Sequence, residues 1–467
     1  MDTGRLRRLW KRVFSLAWPV MTEQVFRTAM RTTDVLVTAL FSPAAVVAIG
    51  LADLYARFPL RVGLGLGGGA IALSSQDTGA GAEASRDEAV TQALVVGVLA
   101  GIPFVLVGLF LGGPAIRVFG ASSEVVDLGS TYLALIFATA PARHVALIGA
   151  RSLQGTGDTR TPMYINIGAN SLNIAGSVVL GLGLFGAPEL RVVGVGLATA
   201  AANVLTAALL LGAIATSWTS ASFAWPRSLV ITKQLLQVSA PRVAEGFAAG
   251  LAEFPFNALL LGFPAGEAVN AGFQIGRRVY QQVTGPLSRG YNVAASVLVG
   301  QSLGEGDPEG ARFAGRGVAA LGLVTIGAIS VVLLVAAPEI VALFTDDPTT
   351  ARYGGDFARV YALVAVGLVA FSSLSGALQG ASETRIPFVA RTTGMFGGFL
   401  GVSWLVGEFL GYGPVGAYVG VGVAYLWMAL VVVWGFERTG WADRAADMMA
   451  ERGTGGGTET DSEATTD

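Results

Sequence analysis

Twelve runs of mostly apolar residues, each long enough to cross about 30 Å of hydrocarbon as a helix, occupy most of this 467-residue chain. They fall near residues 13–40, 44–74, 92–111, 126–152, 163–185, 193–216, 234–262, 265–302, 315–336, 352–380, 387–411 and 415–437. A helix bonds all its own backbone groups inside a bilayer, which an open strand cannot do. Stretches such as 95–111 and 318–337 are apolar on every side and lack the alternation of a membrane barrel strand. Asp, Glu, Lys and Arg make up only 13% of the chain, about half the roughly 25% of soluble domains. The expected fold is an all-α membrane protein with twelve transmembrane helices.

Chemistry is narrowed as sharply as architecture. With no Cys there are no disulfides, thiol nucleophiles or thiolate metal sites, and the single histidine, His144, leaves no multi-His metal centre. No convincing nucleophile and base stand together, so no catalytic residue is assigned and the chain is expected not to be an enzyme. A net charge of −2 argues against nucleic acid as a partner. With the N-terminus inside, 17 basic residues fall in inside segments against 4 outside, namely Arg117, Arg191, Arg352 and Arg359. That bias predicts a multi-pass cell-membrane protein with both termini cytoplasmic. Nine arginines (27, 31, 57, 61, 143, 242, 277, 278 and 289) lie within the spans and need separate reasons.

The chain also repeats itself. Residues 153–163, LQGTGDTRTPM, return as LQGASETRIPF at 378–388, a displacement of 225 that also relates Tyr55 to Tyr280 and Gln76 to Gln301. Near the start of each half the displacement is 222, matching Pro19 with Pro241 and Glu23 with Glu245. Six passes per half give a parallel repeat, hence two six-helix bundles related by a pseudo-twofold axis along the membrane normal. The expected division is an N-terminal lobe over 1–225, a C-terminal lobe over 226–440 and a disordered acidic cytoplasmic tail over 441–467. In the paired loops, Gly155 and Gly380 are expected to end helices in the left-handed conformation, Pro162 and Pro387 to open the next ones, and Asp158–Arg160 and Glu383–Arg385 to pair.

The loops GTGDTRTP and GASETRIP, the segment VGQSLGEGDPEGAR and the opening LAWPVMTEQVFRTAMRTTDVLV resemble those of multidrug and toxic compound extrusion (MATE) transporters, over about residues 10–437. The resemblance implies two lobes and outward efflux driven by inward Na⁺ or H⁺. It also implies a cation or proton pocket from an Asp in the first helix, an Asn and an Asp one turn apart in the fifth, and a Thr in the sixth. The matching positions are Asp34, Asn173, Ser177 (where the Asp is expected) and Thr199, with Na⁺ possible at Asp34, Asn173 and Thr199. With one carboxylate instead of two, protonation of Asp34 stands as an alternative to Na⁺ for coupling.

Ionisable residues within spans are functional candidates by default. In the first helix Glu23 and Asp34 share nearly one face; Glu23–Arg27 and Arg31–Asp34 pairs are the simpler reading. Glu245, Glu253 and Asn257 form a second-lobe candidate set, unless the acids pair with Arg242, Arg277 or Arg278. Asp53 and Arg278 sit at equivalent places in the two halves, which allows a gate contact; Asp53 with Arg57 is the simpler pairing. His144 reads as a satisfied structural residue. The expected function is a Na⁺- or H⁺-coupled antiporter exporting amphipathic organic compounds by alternating access. The alternative is a flippase for lipid-linked saccharides, held open by Arg242, Arg277, Arg278 and Arg289. No cofactor is expected beyond the coupling ion; the expected partners are a small-molecule substrate and the lipid bilayer, and the chain is expected to be a monomer.

Overall fold

A computed structural model describes residues 3–216 and 218–455. The described residues form helices and no strands, in the order of the apolar runs. The first half comprises α1 (Thr3–Ala39), α2 (Pro43–Gly79), α3 (Glu83–Arg117), a fourth pass split into α4 (Ser123–Ala138) and α5 (Ala140–Gly155), α6 (Arg160–Leu182) and α7 (Arg191–Ala215). The second comprises α8 (Leu229–Gly262), α9 (Gly266–Gly304), α10 (Pro308–Ala342), α11 (Pro348–Gly380), an eleventh pass opening as α12 (Arg385–Thr393), and α13 (Pro414–Arg438). The eleventh pass continues from α12 in wider π-helical turns over Gly394–Val402 and Leu405–Phe409.

Seven of these helices are individually long and apolar enough to cross a membrane, and α4 with α5, bent by 47°, makes an eighth such span. Pro141 explains that bend, because it lacks the N–H that would reach the Phe137 carbonyl. Helices α1, α8 and α9 are also long but carry charge along their length, and the eleventh pass changes helix type midway. Three helix starts share one device: Ser42, Asp307 and Asp347 accept the N–H of Ala45, Gly310 and Thr350 at 3.1, 2.7 and 2.7 Å, each with proline at the first helical position.

The repeated loops differ from expectation in detail. Positive φ falls at Gly157 (95°) and Ser382 (60°), not at Gly155 and Gly380. Gly155 is needed for close packing instead, since a Cβ there would lie 2.8 Å from Ser74 Cβ. Asp158 accepts the backbone N–H of Arg160 and Thr161 at 3.1 and 2.9 Å, so it caps α6 rather than pairing with a guanidinium. Glu383 likewise accepts the Arg385 N–H at 3.2 Å, and its second oxygen is held by Arg444 at 2.5 Å.

By internal contacts the chain divides into two compact units, and the divisions fall inside helices. The N-lobe is Thr22–Ser239 with the chain from Met448 on; the C-lobe is Met1–Met21 with Ala240–Asp447. The changes of membership in α1 and α8 therefore come within two residues of Pro19 and Pro241. In the N-lobe, residues 220–232 are docked on the start of α3. Glu88 accepts the N–H of Arg227 and Ser228 at 2.6 and 2.9 Å, and Asp87 accepts the N–H and hydroxyl of Ser222 at 3.1 and 2.5 Å.

The disordered tail expected from residue 441 is corrected over its first part, where Trp441–Gly455 forms a further helix, α14. Trp441 is fully buried, stacked on Phe436 at 5.2 Å with its indole N–H donated to the Phe436 carbonyl at 2.7 Å. At its other end the Arg452 side chain, 2% exposed, meets Asp77 at 2.9 Å and donates to Gln76 and Gln234 at 2.9 and 2.8 Å. Periodic apolar residues (Trp441, Ala442, Ala445) on an otherwise charged segment are what a packed helix requires. The rest of the tail, 456–467, lies outside the described residues.

Candidate functional site

Within the N-lobe the structure brings together the four residues singled out for a cation or proton site. Asp34 in α1 is buried, as are Asn173 and Ser177 one turn apart on α6. The Ser177 hydroxyl lies 2.7 Å from Asp34 Oδ1 and 3.0 Å from Asn173 Oδ1. Asn173 Nδ2 is 3.3 Å from Thr199 Oγ1 on α7, which reaches the Val195 carbonyl at 3.0 Å. Thr38 donates to the Asp34 carbonyl at 2.6 Å, closing the next turn of α1.

Helices α1, α6 and α7 are thus joined by one chain of hydrogen bonds that ends at the Asp34 carboxylate. The spacing explains why: Asn173 and Ser177 are four apart and share a face of α6. The simpler alternative, an Arg31–Asp34 pair, is not formed; no described residue makes an ion pair with Asp34 within 4.0 Å. Glu23 does pair with Arg27, at 2.8 Å. The simple Asp53–Arg57 pair is likewise not formed. Asp53 is exposed in the N-lobe and the charged groups acting on it are Arg31, Arg143 and Arg57. Arg278 belongs to the C-lobe.

The second-lobe candidates are occupied by arginines. Glu245 is held by Arg242 at 2.6 Å and by Arg391 at 2.8 Å, and Glu253 by Arg277 at 3.0 Å. Asn257 accepts from Asn270 and Gln274 at 2.9 and 2.8 Å, and Arg277 also donates to Gln274 at 3.0 Å. Arg242 and Arg277, two of the arginines that held the flippase reading open, are therefore neutralised on the spot. Arg391, in the first turns of the eleventh pass, supplies a guanidinium to Glu245. A signal for it existed: Glu23 has Arg27 on its own helix, whereas the equivalent position after Glu245 is Ala249.

Displacement by 222 and 225 carries Asp34, Asn173, Ser177 and Thr199 onto Phe256, Gly398, Val402 and Ala424. There the polar site is replaced by packing. Phe256 stacks on Phe399 at 3.9 Å, and a Cβ on Gly398 would lie 2.8 Å from Ala424 Cα. His144 is fully buried, with its ring nitrogens 2.9 and 2.8 Å from the carbonyl oxygens of Gly97 and Pro59, which fits the structural role expected of it.

A sequence profile described as MatE matches residues 19–179 and 253–405, one stretch in each half. The chain belongs to the MatE family. Among curated MatE relatives, a probable multidrug resistance protein NorM of Rhodopseudomonas palustris is 28% identical over 451 residues, covering 93% of this chain and 92% of that one. The multidrug resistance protein PmpM of Pseudomonas aeruginosa is 29% identical over 416 residues, covering 86% and 85%. The fold matches the crystal structure of a MATE protein in the straight conformation, with a TM-score of 0.85 at 20% identity over 96% of this chain and 99% of that one. A eukaryotic MATE transporter matches with a TM-score of 0.80 at 15% identity and the same coverage. The twelve-helix MATE fold makes this a multi-pass membrane protein.

Proposed function

We propose that the chain exports amphipathic organic compounds by alternating access between its lobes, as an antiporter driven by protons through Asp34, with both termini cytoplasmic. Family membership and the multidrug resistance relatives support the export, and the 17 to 4 distribution of basic residues supports the orientation. The observation carrying the coupling role is the chain of contacts Asp34, Ser177, Asn173, Thr199 and Val195.

A hydroxyl has one proton to give. With Asp34 protonated, its O–H donates to Ser177, Ser177 to Asn173 Oδ1, Asn173 Nδ2 to Thr199, and Thr199 to the Val195 carbonyl; every link is satisfied. With Asp34 ionised, the single Ser177 proton is drawn to the carboxylate and Asn173 Oδ1 loses its donor, or the amide turns over and the whole chain reverses. Either way the charge on α1 is transmitted to α6 and α7. A proton needs one carboxylate, whereas a desolvated Na⁺ favours several hard oxygen ligands, which supports the proton as coupling ion.

Proteoliposome flux of ethidium under separately imposed pH and Na⁺ gradients tests this. A pH gradient is expected to drive the wild type, and Asp34→Asn to abolish the drive. Gradient-dependent efflux that survives in Asp34→Asn refutes the assignment of Asp34, and efflux driven only by Na⁺ refutes the choice of ion.

A further inference from the structure

His144, on α5 just beyond the Pro141 bend, has both ring nitrogens against carbonyl oxygens. Nδ1 lies 2.9 Å from the Gly97 oxygen on α3, and Nε2 lies 2.8 Å from the Pro59 oxygen on α2. A carbonyl oxygen can only accept, and it keeps a second lone pair after taking a helical N–H. A neutral imidazole has one N–H and one bare nitrogen, whereas an imidazolium has two N–H groups. In the neutral form one nitrogen therefore directs its lone pair at an oxygen with no proton between them. Exchanging tautomers only moves the fault to the other carbonyl. Contacts of 2.9 and 2.8 Å are both hydrogen bonds only when the ring carries a second proton.

The ring is enclosed. His144 is fully buried, a Cβ on Gly63 of α2 would lie 2.9 Å from its Cδ2, and the Phe104 ring of α3 stands edge-on to it at 6.1 Å. The charge acting on it is that of Arg143, the preceding residue of α5. From α2 and α3 it meets the two carbonyls, Gly63 and Phe104, and among the described residues no carboxylate lies within 4.0 Å of it. Lost hydration and the Arg143 charge oppose the second proton, and two charge-assisted hydrogen bonds favour it.

We propose that His144 is a proton-binding site of the N-lobe whose bound proton clamps α2 and α3 to α5. Histidine changes charge between about pH 5 and 8. Loss of the proton leaves one donor for two carbonyls, so acid fastens the three helices and alkali frees one of them. No hydrogen bond among the described residues joins the ring to the Asp34 chain. This proton therefore sets how tightly the lobe is held and does not travel with the cargo, and nothing in the clamp depends on what is exported.

The sequence makes the site easy to isolate: His144 is the single histidine, and Pro–Leu occurs only at 59–60 and 286–287. The full chain, labelled with ring-¹⁵N histidine, carbonyl-¹³C proline and ¹⁵N leucine, is reconstituted in phosphatidylcholine bilayers and followed by solid-state NMR from about pH 5 to about pH 9. In acid both ring nitrogens are expected to show a one-bond N–H coupling, and in alkali one of the two couplings is expected to be lost. The Pro59 carbonyl signal is expected to shift with the same midpoint while that of Pro286 stays in place. Asp34→Asn is expected to keep the transition, and His144→Gln to remove the Pro59 shift. A bare ring nitrogen at the acid end, two protonated nitrogens throughout, or a Pro59 carbonyl that ignores the transition overturns the proposal. So does a Pro59 shift that persists in His144→Gln; should that variant not fold, the wild-type nitrogens and the Pro59 signal decide.

Discussion

Arg452 offers the sharpest test of how the two halves differ. Gln301 in the C-lobe receives Arg12 at 2.7 Å, and its repeat partner Gln76 in the N-lobe receives Arg452 at 2.9 Å. The N-lobe residue equivalent to Arg12, displaced by 222, is Gln234, which has no charge to offer. Helix α14 supplies the missing guanidinium, tying Gln234, Gln76 and Asp77 together at 2.8–2.9 Å. In Arg452→Ala, Asp77 is left buried with Ser85 as its remaining donor, at 2.9 Å. Removing one partner of a buried ion pair costs about 3–5 kcal/mol. The expected result is a clear loss of thermal stability, read by fluorescence-detected size exclusion of heated, detergent-solubilised protein. Two second-site changes are expected to recover most of it: Asp77→Asn, which removes the stranded charge, and Gln234→Arg, which rebuilds the arrangement of the other half. If Arg452→Ala melts with the wild type, or if neither double variant gains over it, the account of α14 as a structural replacement for Arg12 is wrong.

Other expectations follow from the same contacts. Arg391→Ala leaves Glu245 with Arg242 alone and is expected to destabilise the protein by about 1.5–3 kcal/mol, the range for a hydrogen bond to a charged group; Glu245→Gln in the same chain is expected to restore part of this in the same melting assay. Ser177→Asp places a second carboxylate against Asp34, and two carboxylates sharing a site hold a proton between them or a cation; Na⁺-gradient-driven efflux is expected in this variant and not in the wild type. The Thr350 hydroxyl and N–H hold the exposed Asp347 carboxyl below its ordinary range. Its contribution to stability is therefore present above the unfolded pKa and lost as pH falls through the folded value, so the melting difference between wild type and Asp347→Ala is expected to be constant at neutral pH and to vanish in acid.

The passes were legible because hydrocarbon imposes a length and a composition, and the repeat was legible because two halves kept one register. The Asp34 pocket was legible only through resemblance, since nothing local relates residue 34 to residues 173, 177 and 199. What escaped was partner choice. An arginine near a span end, such as Arg391, looks like a topology marker until its acid is seen. Arg452 in an acidic, glycine-bearing tail carries too little apolar periodicity around it to announce a helix. Left-handed residues at Gly157 and Ser382 were displaced by two from the glycines expected, because Gly155 and Gly380 are reserved for close approach to α2 and α9.

The aromatic filling at Phe256, Phe399 and the Gly398–Ala424 contact has a numerical consequence. A duplicated carrier with a titratable niche in each copy could load two ions per turnover; here the equivalent positions, Phe256, Gly398, Val402 and Ala424, carry no titratable side chain and are packed around stacked rings. If coupling runs through Asp34 as proposed, exchange is limited to one elementary charge per cycle, and the steepest substrate ratio a membrane voltage can sustain is set by that single charge and the charge of the cargo itself.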